Sequence, residues 1–289
     1  MRENKTLTQV LQEGKKRLKN ANKDNYAFEA ELLLMDVCRI NRVALLTQGD
    51  AKITFENEEK YNWYLTQRES NRPLQYILGQ CEFMGLTFKV GEGVLIPRGD
   101  TEVLVESVLE ISKREKIKKV IDVGTGSGCI PICLTYFGQM DAVGLDISPV
   151  ALDFARKNGE DNQVVVDWIE SDLFSAVPVK LKGRVDAIVS NPPYISKEAI
   201  EGLMPEVRDY EPRNALDGGK DGLDFYRGIV EESCFWLREG GWLFFEIGYD
   251  QGRALLEMMN RAGFSQCSLQ QDLAGLDRVV FGKLERKQK

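Results

Sequence analysis

Apolar positions in the first quarter of the chain recur at helical spacing. Leu7, Val10, Leu11 and Leu18 form one set, Phe28, Leu32, Met35 and Val37 a second, and Tyr61, Tyr64 and Leu65 a third. That spacing predicts successive amphipathic helices between residues 6 and 70. Between Arg72-Pro73 and Pro97 the period changes to short alternating runs, Cys81-Glu82-Phe83 and Leu86-Thr87-Phe88-Lys89-Val90, broken by Gly85, Gly91 and Gly93. This is the pattern of a hairpin. From Asp100 onward helical and extended periods alternate. The expected order is helix 101–116, strand 119–123, helix 127–137, strand 141–146, helix 149–160, strand 163–169, strand 185–190, helix 222–238, strand 242–247, helix 251–262, and strands 265–270 and 277–282. Such an alternation predicts an α/β fold with a doubly wound, mostly parallel, seven-stranded sheet. The chain therefore divides into a helical domain at 1–72, a linker carrying a β-hairpin at 73–98, and the α/β domain at 99–289. The segment from Ile195 to Gly222 holds Pro205, Pro212, Gly218 and Gly219 and has no sustained period. A loop of that length in a compact domain is expected to be a lid, a binding loop or disordered.

Composition narrows the chemistry. With 289 residues and 43% hydrophobic content the chain can bury a full core. No run of eighteen apolar residues is present and Met1-Arg2-Glu3-Asn4-Lys5-Thr6 lacks an apolar signal core, so a cytoplasmic protein without a membrane partner is expected. The six cysteines, at 38, 81, 129, 133, 234 and 267, form no Cys-x-x-Cys pair and read as buried thiols. There is no histidine, which removes Ser-His-Asp and Cys-His catalysis and imidazole metal sites together; no metal is expected. Net charge is −7, made of +2 over residues 1–80 and −9 over the remainder, a poor balance for gripping phosphates.

Two motifs carry the candidate chemistry. The first, Asp122-Val123-Gly124-Thr125-Gly126-Ser127-Gly128, follows the apolar run Lys119-Val120-Ile121 and opens a helix. Its glycines suit a tight strand-to-helix turn that lets backbone approach a ligand. They fall at first, third and fifth positions, unlike the dinucleotide fingerprint, and no Gly-Lys-Ser/Thr follows to mark a phosphate loop. Asp146 ends the next strand, where a carboxylate can accept from both hydroxyls of a ribose. Asp172 is placed to accept from an adenine amino group while Leu173 or Phe174 packs on the ring. Sixty-three residues after Gly128 comes Asn191-Pro192-Pro193-Tyr194, at the carboxyl end of a later strand, the edge where open α/β sheets bind ligands. The Asn191 side-chain oxygen and the Pro192 carbonyl can accept the two hydrogens of a planar NH2, drawing electron density onto its nitrogen. Consecutive prolines, Pro192 and Pro193, stiffen the backbone, and Tyr194 can lie flat against the acceptor.

In these motifs the chain resembles the class I S-adenosylmethionine-dependent methyltransferases, and within them the protein-(glutamine-N5) methyltransferases that modify peptide chain release factors. The likeness extends through Arg72-Pro73-Leu74-Gln75-Tyr76-Ile77-Leu78-Gly79, Val94-Leu95-Ile96-Pro97-Arg98, Asp100-Thr101-Glu102, Glu211-Pro212, Gly219-Lys220-Asp221-Gly222 and Asp272 to Arg278. The resemblance implies S-adenosylmethionine as methyl donor, held at Gly124 to Gly128, Asp146, Leu173 and Asn191. It also implies a release factor as partner, whose Gly-Gly-Gln glutamine is received at Asn191 to Tyr194. The chain departs from the family pattern at Gly99, where many members have proline, and at Leu173, where some have an aromatic residue. Two other readings compete. An adenine-N6 DNA methyltransferase uses a similar Asn/Asp-Pro-Pro-Tyr/Phe segment but has to flip a base and grip phosphates, which the acidic α/β region disfavours; direct DNA binding is not expected. A non-catalytic module would show damage at the glycine turn, Asp146 or Asn191, and all are intact.

Overall fold

A computed structural model of the chain describes residues 4–285. It divides into two compact units, one of residues up to Gly79 together with Pro205–Tyr210, the other of Gln80–Met204 and Glu211 onward.

The helical unit contains α1 (Leu7–Asn20), α2 (Tyr26–Cys38), α3 (Arg42–Thr47), α4 (Phe55–Glu69) and α5 (Leu74–Leu78). Thr6 and Gln9 start α1 with a reciprocal capping box, which satisfies two amide donors that the first turn leaves open. Leu18, Leu33, Leu34, Tyr61 and Leu65 meet in its core. On α2 the buried face is Ala30, Leu33, Leu34 and Val37, whereas Phe28 is 52% exposed. The expected stripe through Phe28, Leu32 and Met35 is thus rotated. The run Leu32-Leu33-Leu34-Met35 is apolar on every side, so spacing alone does not choose its inner face. Buried Arg68 on α4 donates from Nε to Glu29 on α2 at 2.8 Å, and its Nη1 lies 2.7 Å from Glu206.

The second unit begins with the antiparallel hairpin β1 (Gln80–Phe83) and β2 (Leu86–Lys89). It continues with α6 (Asp100–Glu115), β3 (Lys119–Val123), α7 (Cys129–Gly138), β4 (Asp141–Asp146), α8 (Pro149–Asp161), β5 (Asp167–Glu170), β6 (Val185–Ser190) and α9 (Lys197–Ile200). After α10 (Pro205–Arg208), which belongs to the helical unit, come α11 (Asp224–Trp236), β7 (Leu237–Glu246), α12 (Gly252–Ala262), β8 (Phe264–Gln271) and β9 (Asp277–Leu284). Among the described residues, seven strands make one sheet in the order β5-β4-β3-β6-β7-β9-β8. All neighbours are parallel except β9, which runs antiparallel to both β7 and β8. Successive residues of β3 point to opposite faces: Val120 joins Val189 and Phe244 under α6 and α7, while Ile121 joins Ile188 and Phe245 under α11 and α12. Burial on both faces explains why these central strands read as continuous apolar runs. The strand order reverses between β3 and β6, and such a switch opens a crevice at the carboxyl ends of the strands.

Elements nearer the sheet edge depart from their expected bounds. The strand expected at 163–169 is β5, shorter and later, because Gln163 turns through a positive φ and Val164 N–H closes back on the Gly159 carbonyl at 3.0 Å. The strand expected at 242–247 starts at Leu237, whose pairing with Val185 is followed by a register shift; the preceding helix stops at Trp236. The aperiodic segment 195–222 contains α9, α10 and a 3-10 turn at Arg213–Ala215. Its base is tied by backbone bonds from Ile195 N–H to Leu216 O at 3.1 Å and from Gly218 N–H to Ile195 O at 2.8 Å.

Gly144 on β4 has no room for a methyl group: a Cβ there would lie 2.5 Å from the Trp168 ring and 3.0 Å from the Thr125 hydroxyl. Gly144→Ala is expected to destabilise the chain by about 1–3 kcal/mol through overpacking, read as a lower midpoint in chemical denaturation. An unchanged midpoint would show that Trp168 yields freely.

Candidate active site

The site is built on the carboxyl ends of β3, β4, β5 and β6, around a cavity of about 340 Å³. After β3 the chain turns through Gly124, Gly126 and Gly128 with φ of 74°, 55° and 81°, values that a side-chain-bearing residue adopts only under strain. Gly124 N–H and Thr125 N–H both donate to the Leu145 carbonyl, at 2.9 and 2.8 Å. A Cβ on Gly128 would meet Trp168 at 2.8 Å, whereas one on Gly124 would meet nothing within 4 Å. The turn is therefore packed from behind and open in front, a cradle for a ligand.

Asp146, at the end of β4, receives Gly126 N–H on Oδ2 at 2.8 Å and Ser148 N–H on Oδ1 at 2.9 Å. Burial pushes its pKa upward, and these backbone donors partly offset that. Each oxygen keeps a further lone pair for a hydroxyl donor. Asp172 and Leu173 line the same cavity beyond β5, Asp172 exposed and Leu173 in the left-handed region at φ 46°. Asn191, Pro192 and Pro193 line it beyond β6. Asn191 Nδ2 donates to the Thr101 hydroxyl at 3.2 Å. Thr101 belongs to the first turn of α6, so the amide nitrogen is directed toward the protein and Oδ1 is left to the cavity.

Tyr194 differs from its neighbours. It is not among the residues lining the cavity; its ring packs partly on the apolar cluster under α11 and α12, and burial pushes its phenol up to about 12. Its carbonyl accepts from Gln251 Nε2 at 3.0 Å, which fixes the chain just after the two prolines. Cys129 and Cys133 are buried, Cys129 with a thiol pushed well above its ordinary value by burial. Arg98, also on the cavity wall, donates to buried Glu211, while Pro212, Asn214 and Ala215 complete the wall from the 195–222 segment.

Two buried carboxylates near the site carry no role in the motif reading, Asp122 at the head of the first motif and Glu246 outside both. Asp122 stands behind the glycine turn and Glu246 at the end of β7, each essentially buried, and burial pushes both to about 7. Glu246 had one legible signal, a lone carboxylate inside the apolar run Trp242-Leu243-Phe244-Phe245-Glu246-Ile247.

Relatives decide the family. The release factor glutamine methyltransferase of Clostridium botulinum is 43% identical over 95% of this chain and 98% of its own length. The chain belongs to the release factor glutamine methyltransferases. That of Geobacter sulfurreducens is 42% identical over 96% of this chain and 97% of its own length. The PrmC N-terminal domain model matches residues 9–79, and the methyltransferase small domain model matches 99–206. A 16S rRNA methyltransferase of T. thermophilus, solved with AdoMet and guanosine, shares the fold at TM-score 0.50 and 20% identity over 71% of this chain and 50% of that one.

For this methyltransferase the cradle fits a nucleoside-bearing donor: open backbone at Gly124, an oriented carboxylate at Asp146, and apolar wall around them. Asp146→Ala is expected to weaken S-adenosylmethionine binding by about 1.5–3 kcal/mol for each charge-assisted bond lost; calorimetry on the intact chain measures it, and unchanged affinity counts against the ribose role. The buried Asp122 has a separate signature. Its pKa rises from an ordinary 3.8 to about 7 on folding, so between those values the folded chain holds a proton that the unfolded chain has released, and stability falls as pH rises. Wild-type stability relative to Asp122→Asn should therefore decline from about pH 4 to about pH 7 and level off above it, as read from urea midpoints at each pH.

Proposed function

We propose that the chain transfers the methyl group of S-adenosylmethionine to the side-chain amide nitrogen of the glutamine in the Gly-Gly-Gln loop of peptide chain release factors. The observation that carries this reading is the setting of Asn191. Its Nδ2 is committed to Thr101, leaving an acceptor-only oxygen beside the Pro192 carbonyl at the cavity edge.

When bound, S-adenosylmethionine supplies an electrophilic methyl on a sulfonium. Asp146 would hold the ribose hydroxyls, and Asp172 and Leu173, on the same cavity wall, would hold the adenine. Asn191 Oδ1 and the Pro192 carbonyl accept the two hydrogens of the substrate amide, which raises electron density on its nitrogen and aims the lone pair. An amide nitrogen is weakly basic because that lone pair is delocalised, so alignment matters more than proton abstraction; the carbon–nitrogen bond forms at the expense of the donor's carbon–sulfur bond, a neutral thioether departs, and the proton leaves to solvent. Consecutive prolines hold the two acceptors, and Tyr194, whose ring packs largely away from the cavity, fixes the chain after them through the bond from Gln251 to its carbonyl. The competing DNA reading is disfavoured by the −9 charge of residues 81–289.

Incubation with labelled S-adenosylmethionine and either purified release factors or DNA, followed by mass spectrometry, tests the acceptor. Label on the Gly-Gly-Gln glutamine is expected, and label in DNA alone rejects the reading. Asn191→Ala should keep the fold and most donor affinity but lose about 10²–10³-fold in single-turnover rate, as other preorganised hydrogen-bonding groups do. A near-wild-type rate would remove the alignment role.

A further inference from the structure

Behind Asn191 the Thr101 hydroxyl that takes its Nδ2 is joined by a buried carboxylate, Glu246, to which the transfer chemistry assigns no task. Thr101, on the first turn of α6, is 2% exposed, and Glu246, at the end of β7, is 1% exposed. The Glu246 carboxyl faces the Thr101 hydroxyl and the Asn191 side chain, both of which lower the burial penalty on its charge. Its Oε2 has no hydrogen-bond partner, and Glu246 does not line the cavity. A buried carboxylate kept at such a cost needs a reason.

The donor and acceptor inventory supplies one. The Asn191 amide can sit in either of two orientations related by a half-turn about its last bond, and only one presents oxygen to the cavity. A hydroxyl can both accept and donate, so Thr101 by itself is compatible with either. In its ionised form, which prevails above about pH 7, the Glu246 carboxylate only accepts. Facing Glu246, the single Thr101 hydrogen is directed to the carboxylate, and the hydroxyl oxygen is then available to Asn191 only as an acceptor. The pairing of Ser190 with Phe245 brings the next residues, Asn191 and Glu246, to neighbouring strand ends. The inward position at Thr101 thus calls for NH2, and Oδ1 is turned outward. Arg278, 3.2 Å from Asp100 and 3.0 Å from Asp272, supplies the positive charge that faces the carboxylate from β9.

We infer that Glu246, directly and through Thr101, is a positioning residue that sets the orientation of the Asn191 amide and so presents its oxygen to the methyl acceptor. Without the carboxylate, Thr101 can donate to Oδ1, the amide turns, and NH2 meets the NH2 of the substrate.

This inference rests on the alignment role proposed for Asn191, and the test separates the two. Single-turnover rates at saturating S-adenosylmethionine are compared for Glu246→Leu, Glu246→Gln, Thr101→Val, Thr101→Ser and Asn191→Ala, with donor affinity from calorimetry. Glu246→Leu and Thr101→Val keep the side-chain volume, so loss of fold is not the expected result. Each should lower the rate about tenfold or more, short of the ~10²–10³-fold expected for Asn191→Ala, with donor affinity within about twofold. Thr101→Ser retains the hydroxyl and should recover most of the rate, whereas Glu246→Gln keeps an acceptor oxygen but adds an NH2 donor and should recover only part of it. In the Asn191→Ala background, Glu246→Leu should cost nothing further, since it acts through the missing amide. If Asn191→Ala loses its rate while Thr101→Val and Glu246→Leu do not, the positioning inference is overturned and the alignment reading stands. Equal losses in Glu246→Gln and Glu246→Leu, or a full further loss in the Asn191→Ala background, also overturn it. If Asn191→Ala itself keeps its rate, the alignment reading falls first.

Discussion

The pinning of the glycine turn to the end of the neighbouring strand is the constraint on which the site depends. Gly124 and Thr125 N–H groups share the Leu145 carbonyl, and Gly126 N–H reaches the Asp146 carboxylate. The turn and the carboxylate therefore orient one another: the bonds that shape the cradle also aim the Asp146 carboxylate. The arrangement is possible because β3 and β4 pair in register from Lys119 with Asp141 to Val123 with Leu145, which brings both strand ends to one level. Trp168 of β5 fills the space that Gly128 and Gly144 leave open, so the third strand holds the first two in place.

A chain without histidine arranges its charges by burial. Asp146 is half-buried and receives backbone donors on both oxygens. Asp122 and Glu246 sit deeper, and burial pushes both to about 7. Half-buried Asp272, in contrast, is held below its ordinary value by the Leu276 amide and the Arg278 guanidinium. Acidic groups of identical chemistry thus serve as ligand acceptor, buried strut and arginine anchor according to what each strand end packs against. Transfer to a weakly basic amide needs this positional control more than it needs a strong base.

The segment from Ile195 to Gly222 is shared between the units. Pro205–Tyr210 counts with the helices, where Glu206 meets Arg68 and the Tyr210 hydroxyl donates to the Ser70 carbonyl at 2.7 Å. Pro212, Asn214 and Ala215 line the cavity of the sheet unit. An expected loop is in this way a structured piece of both, which its lack of any period could not convey.

Central elements were legible because their environment is simple. Strands 119–123, 141–146 and 185–190 are buried on both faces and match their apolar runs residue for residue; the glycine turn and Asn191 follow directly from them. Where one face is open or the chain must turn back, as at Gln163 and Leu237, hydrogen bonding across the turn and the neighbour's register moved the boundary. By itself the amino-acid sequence determined the order of elements, the two motifs and their place at strand ends, since these rest on local period and turn chemistry. Only the tertiary structure decided which face of α2 is inward, that Tyr194 turns largely away from the cavity, and that Thr101 and Glu246 stand behind Asn191. Those are contacts between residues as far apart as Thr101 and Asn191, 90 positions along the chain, and such partners are brought together by sheet order and packing, which leave no periodic trace in the residues themselves.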